Sequence, residues 1–125
     1  MPLEPGLTAK ARLTVAEGDT ARILRTGDVD VLATPRMIAL CEEATVKAVA
    51  GRLQPGETSV GVRVQIDHLA PTAVGEHVEA DAKLERIVGR RLVFSVSVAD
   101  DRGLVAAGKL TRAVVDREWF LDKAR

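Results

Sequence analysis

The chain has 125 residues, 46% of them hydrophobic, and its eighteen basic residues are matched by eighteen acidic ones. That suffices for a single domain over residues 1–125 and is too short for two ordinary ones, and the balanced charge supplies no field to hold nucleic acid or an anionic membrane. The lone Cys41 excludes an internal disulfide, "MPLEPGLTAK" lacks a signal-peptide core, and no apolar run approaches the roughly 20 residues of a membrane span, so a cytoplasmic protein is expected.

Phe94, Trp119 and Phe120 are the only aromatics, which argues against base-stacking platforms and leaves an aliphatic core. Residues 7–16, "LTAKARLTVA", read as a first strand, and "EGDTA" and "TGDVD" supply loop chemistry after it. Thr34-Pro35 then marks a helix start, since threonine caps free amides and proline fits the first turn; Gly51 or the "QPGE" turn at 54–57 ends the helix. In "SVGVRVQIDH", Val60, Val62, Val64 and Ile66 alternate with polar residues or glycine, which predicts a half-buried strand with His68 ending its inward row. "HVEADAKLERIV", "LVFSVSVAD" and "LVAAGKLTRAVVD" follow, joined by "VGRR" and "DDRG", and predict an antiparallel meander; "REWFLDKA" predicts a short helical tail. One long helix among five strands is an α+β layout in which a curved sheet covers the helix. A unit of this size needs a second copy to cover the rest of that helix, so at least a dimer is expected.

On helical angles, Arg36, Glu43 and Lys47 fall within about 20° on either side of one line and form a polar stripe, with Glu43 and Lys47 an i,i+4 pair. Glu42 lies about 120° away, among Ile38, Cys41 and Thr45. A carboxylate withdrawn from water without a partner costs several kcal/mol, so it raises its pKa or finds hydrogen bonds. Two readings compete: a poised catalytic acid, or an acid at a subunit seam or paired with an arginine such as Arg63. His68 is either a satisfied core histidine or part of a site. His77, on the outward parity, is assigned no role. Thr34 is either a plain cap or sits where helix-start amides stabilise a developing oxyanion.

"ATPRMIALCEEA", "GETSVGVRVQIDHLAPTAVG", "VGRRLVFSVSV" and "GKLTRAVVD" together resemble the hotdog-fold acyl-CoA thioesterases of the fluoroacetyl-CoA thioesterase-like group, from about residue 33 to 120. The resemblance implies a long central helix wrapped by an antiparallel sheet, working as a dimer or larger homo-oligomer. It implies a catalytic set of Thr34, Glu42 and His68, and acyl-CoA handling by Gly61 and Arg112. It therefore selects Glu42 over Glu43, as the helical angles do. No metal or redox cofactor is implied; the coenzyme A thioester is substrate. The chain departs from the pattern in "GKLTR", where Leu110 stands in place of a histidine, and in "LRTGDVDVLA", which is short and lacks the phenylalanine of the fluoroacetyl enzymes' lid. Fluoroacetyl specificity is accordingly not expected.

The expected chemistry is thioester hydrolysis. Glu42 attacks the carbonyl or activates water, His68 handles the proton or polarises the thioester, and Thr34 orients one of them. Eight residues of ideal helix span about 12 Å, so Thr34 and Glu42 of one chain should not touch; either the helix begins later and Thr34 folds back, or the set combines residues of both protomers, and the second is expected. A non-catalytic acyl-CoA-binding module, a hotdog enoyl hydratase and a structural dimer that tolerates a part-buried acid are the competing readings.

Overall fold

The alternating C-terminal half closes into one antiparallel sheet. The computed structural model describes residues 2–125. In chain order it contains β1 (Thr8–Thr14), one 3-10 turn (Glu17–Asp19), α1 (Ala21–Leu24), α2 (Thr34–Ala48), β2 (Glu57–His68), β3 (His77–Val88), β4 (Arg91–Asp100), β5 (Gly103–Asp116) and α3 (Arg117–Asp122). The strand order is β1-β3-β4-β5-β2, so the last three strands form the expected meander while β1 and β2 are carried to opposite edges. No helix among the described residues is long and apolar enough to cross a membrane.

The segment between β1 and α2 is more ordered than its turn residues suggest. Thr20 Oγ1 accepts from the Ile23 amide at 3.4 Å, which starts α1, and Arg25 closes it in the left-handed region at φ 63°. The start of α2 differs from expectation. Ala33 occupies the cap position without a side-chain hydrogen bond, and Thr34 is already helical. The helix ends at Ala48, and Gly51 (φ +77°) turns the chain just beyond.

Met37, Leu40, Cys41, Ala44, Thr45 and Ala48 are buried on α2 at helical spacing. They pack chiefly over β1 and β3, in one core with Ala11, Ala80, Ala82 and Leu84 of those strands and Leu92, Phe94 and Val98 of β4. The polar stripe holds: Lys47 Nζ is 3.7 Å from Glu43, and Arg36 Nε is 3.1 Å from Asp19.

β2 departs most from the sequence reading. Val60, Val62, Val64 and Ile66 do not form one buried row; Val62 and Val64 are 44% and 39% exposed. One reason is position, because β2 is an edge strand that α2 touches less than it touches β1 and β3. The other is a bulge. Gly61 pairs with Arg112 and Arg63 with Thr111, leaving Val62 unmatched. An extra residue reverses the parity of a strand. Partners directly opposite share a face, so Gly61 joins Arg112, Val64 joins Leu110 and His68 joins Ala106, all on the side of the sheet that faces the helix. Alternation alone would have placed Gly61 on the opposite face from Val64 and His68.

Candidate active site

Thr34 and His68 meet within one chain. The first turn of α2 lies against the end of β2, and Thr34 Oγ1 is 2.8 Å from His68 Nδ1. The threonine hydroxyl therefore serves the imidazole and leaves the helix uncapped, which corrects the capping reading. The pair shares one proton. If Thr34 donates to Nδ1, the other ring nitrogen is a donor; if Nδ1–H donates to Thr34, it is an acceptor. That other nitrogen, Nε2, is shielded from solvent with no hydrogen-bond partner among the described residues. Burial pushes the His68 pKa below its ordinary value, and the backbone at Ala70 opposes this to a lesser degree. The imidazole is thus neutral near pH 7 with one unsatisfied polar atom, and His68 also lines a recess of about 320 Å³ with Val29, Val31, Leu32, Leu69 and Pro71 among others.

Glu42 stands two turns further along α2 in a second cluster. A Cβ added at Gly61 would strike Glu42 Oε1 and come within 3.9 Å of Arg112 Nη1, so the missing side chain is the space the carboxylate occupies. Arg112 Nη1 lies 3.8 Å from Glu42 Oε1, an ion pair too long for a direct hydrogen bond. The arginine partner is thus Arg112 of β5, where Arg63 had been one expectation. Arg112 is 6% exposed. Its Nε donates to Ser59 Oγ and its Nη2 to the Ser59 carbonyl, both at 2.9 Å, which fixes the guanidinium plane. Burial works against its charge and Glu42 restores part of it.

The two glutamates differ more in what they touch than in how wet they are. The Glu42 side chain keeps 38% of its exposure and the Glu43 side chain 48%, but Glu42 faces Gly61 and Arg112 while Glu43 reaches Lys47. Within one chain Glu42 belongs to the Gly61–Arg112 cluster and His68 to the Thr34 pair. Ser59 escaped sequence reasoning, since a serine in an alternating strand carries no signal that it will hold an arginine.

The other nucleophile is out of play. Burial, then the nearby Glu42 charge, push the Cys41 thiol up to about 11, and its sulfur lies against Met37 in the core. Leu110 of "GKLTR" is fully buried and packs as core. His77 is exposed, as its parity required, and bonds Thr14 at 2.8 Å. No three of His, Cys, Asp or Glu gather closely enough to share a metal ion among the described residues.

A family model described as fluoroacetyl-CoA-specific thioesterase matches residues 15–118. A fluoroacetyl-CoA thioesterase of Streptantibioticus cattleyicolor is 40% identical over 96 residues, covering 77% of this chain and 69% of the relative. The solved structure of the fluoroacetyl-CoA thioesterase FlK superposes with a TM-score of 0.94 at 33% identity, over 100% of this chain and 97% of that one. A Thermus thermophilus protein described as a thioesterase superfamily member gives 0.91 at 27% identity, over 99% and 92% of the two chains. The five-stranded sheet curled about α2 is therefore the hotdog fold, and the chain belongs to the fluoroacetyl-CoA-specific thioesterase family, whose members are acyl-CoA thioester hydrolases.

Proposed function

We propose that the chain hydrolyses a short acyl-CoA thioester at a site built from two protomers, with Glu42 of one and the Thr34–His68 pair of the other. The observation that carries this reading is the placement of both half-sites along one free strand edge. Gly61, which makes room for Glu42, and His68, which holds Thr34, lie seven residues apart on β2 and face the same side. Antiparallel self-pairing of β2 about a two-fold axis between Val64 and Gln65 would set Gly61 opposite His68 of the partner subunit. The exposed Val62 and Val64 would be covered by that pairing.

In this arrangement water attacks the thioester carbonyl as Glu42 takes its proton. The tetrahedral intermediate collapses with cleavage of the C–S bond, and the thiolate leaves to be protonated as coenzyme A. His68, held neutral by burial and aimed by Thr34, polarises the carbonyl as an Nε2–H donor, and the proton that Glu42 took from water passes to the leaving sulfur. Arg112, locked by Ser59, orients the Glu42 carboxylate. The aliphatic recess beside His68 suits a small apolar acyl group.

The test is thiol release from a panel of short, branched, aromatic and fluoroacetyl-CoA substrates. Glu42→Gln should lower kcat by about 10²–10⁴-fold while acyl-CoA binding persists, and Glu43→Gln should behave as wild type. Equal turnover in Glu42→Gln and wild type would remove the assigned role. Binding without turnover by the wild-type chain would make it a carrier.

A further inference from the structure

The Thr34–His68 contact joins two stretches of chain, and the residues that hold those stretches lie outside the site. One is the run of residues 31–33 that leads into α2. The other is the loop of residues 69–73 that leaves β2. Backbone hydrogen bonds tie each of them down. Thr20 pairs with Leu32, and the Ala33 amide donates to the Asp19 carbonyl at 2.9 Å. On the loop, the Leu69 and Ala70 amides both donate to the Val105 carbonyl of β5, at 2.7 and 3.2 Å.

The two stretches meet again at Thr72, four residues past His68. Its carbonyl accepts from the Leu32 amide at 2.8 Å, two residues before Thr34, and Ala73 beside it pairs with Val31. Thr72 is fully buried, so its hydroxyl needs a partner. That partner is Asp100, the last residue of β4. Thr72 Oγ1 donates to Asp100 Oδ2 at 3.1 Å, while Asp100 Oδ1 accepts from the Arg102 amide at 2.8 Å. A hydroxyl on a carboxylate makes a charge-assisted bond, stronger than a neutral one. Pro71 has no amide to donate, which leaves more of the loop's hold to the residue after it. The β4–β5 hairpin thus fixes the loop at two points, Val105 and Asp100, and Thr72 links that fixed loop to the run carrying Thr34.

Resting on the proposed hydrolase function, we infer that Thr72 and Asp100 are positioning residues for that reaction: their hydrogen bond sets the separation of Thr34 and His68, and with it the tautomer and aim of the imidazole. A contact of 2.8 Å between the end of one strand and the start of a helix is lost on a small displacement of either. Misplacing a group that acts on the reacting carbonyl slows the chemical step more than it weakens binding.

Thr72→Val keeps the shape and removes the hydroxyl. Assayed well below its unfolding midpoint, it should lower kcat about tenfold on the preferred acyl-CoA with KM unchanged, and Thr72→Ser should recover most of the loss. Asp100→Ala removes the same bond from the other side. It should give a similar loss, and the double variant should be no slower than Asp100→Ala alone. Nitrogen NMR of the His68 ring, assigned by its disappearance in His68→Gln, should pass from one tautomer in the wild type to an average of two in both single variants. A role confined to stability would lower the unfolding midpoints and leave kcat and the ring signals unchanged, and that result would overturn the inference. A loss of kcat with wild-type ring signals would overturn it as well. A wild-type chain that hydrolyses no thioester would instead remove the proposed function, and the ring signals would still decide whether this bond positions the imidazole.

Discussion

At single residues, the site depends on where a polar side chain finds its partner. Glu42 and Glu43 are neighbours of similar exposure, yet one faces an arginine and an absent Cβ while the other reaches a lysine on its own helix. His68 is held neutral by burial, and this has a sign that can be checked. Its folded pKa is lower than the ordinary 6.5, so the unfolded chain binds a proton more readily. The stability it contributes is full above the ordinary value and is lost as pH falls through the folded value. Urea denaturation should therefore show lower stability at pH 5 than at pH 7.5, and His68→Gln should flatten the part of that slope near pH 6. The acid limb of kcat/KM should likewise lie below the ordinary histidine range. A slope of opposite sign across this window would contradict the buried neutral imidazole. The residue types of the site were readable in the sequence, and helical angles separated the two glutamates. That Thr34 would serve His68 was not readable, because a threonine before proline at a helix start looks like a cap until the strand beside it is placed.

Among the elements, β2 carries most of the functional geometry, and its placement depends on two glycines that act differently. Gly61 lies beside the bulge and opens space for a carboxylate. Gly108 lies on β5 opposite Ile66, where an added Cβ would come within 2.7 Å of Ile66 Cα and still closer to the Gln65 carbonyl. Backbone atoms cannot swing aside as a flexible side chain can, so any residue but glycine there forces β2 away from β5. Gly108→Ala should cost about 1–3 kcal/mol in urea denaturation and should lower turnover by loosening the strand that holds His68. Wild-type stability in that variant would show that the two strands are not in such close approach. A glycine inside a strand is a signal of close backbone approach, so Gly108 was open to recognition in "AAGKLTR". The bulge at Val62 was not, because the alternation of valines on either side of it reads as one unbroken row.

In the whole molecule, one chain holds the Glu42–Arg112 cluster and the Thr34–His68 pair with an exposed strand edge between them. An edge strand with valines 44% and 39% exposed is a surface for association. Replacing both, Val62→Lys with Val64→Lys, should give a monomer by sedimentation with its circular dichroism retained. Turnover should fall at least about 10²-fold as Glu42 loses its facing imidazole. A fully active monomer would refute the shared site.

The order of elements, the single long helix, the meander and the helical tail were all legible along the chain. Hydrophobic periodicity and turn chemistry are local, and each was satisfied within a few residues of where it was read. The family was legible too, since separated motifs from "ATPRMIALCEEA" to "GKLTRAVVD" kept their order. Pairings between distant segments were not: the edge position of β2, the reversal of its face at the bulge, the choice of Arg112 over Arg63, and the hydrogen bond from Thr34 to His68. Those depend on strand order and on how far each strand lies from α2, and neither leaves a periodic trace in a single sequence.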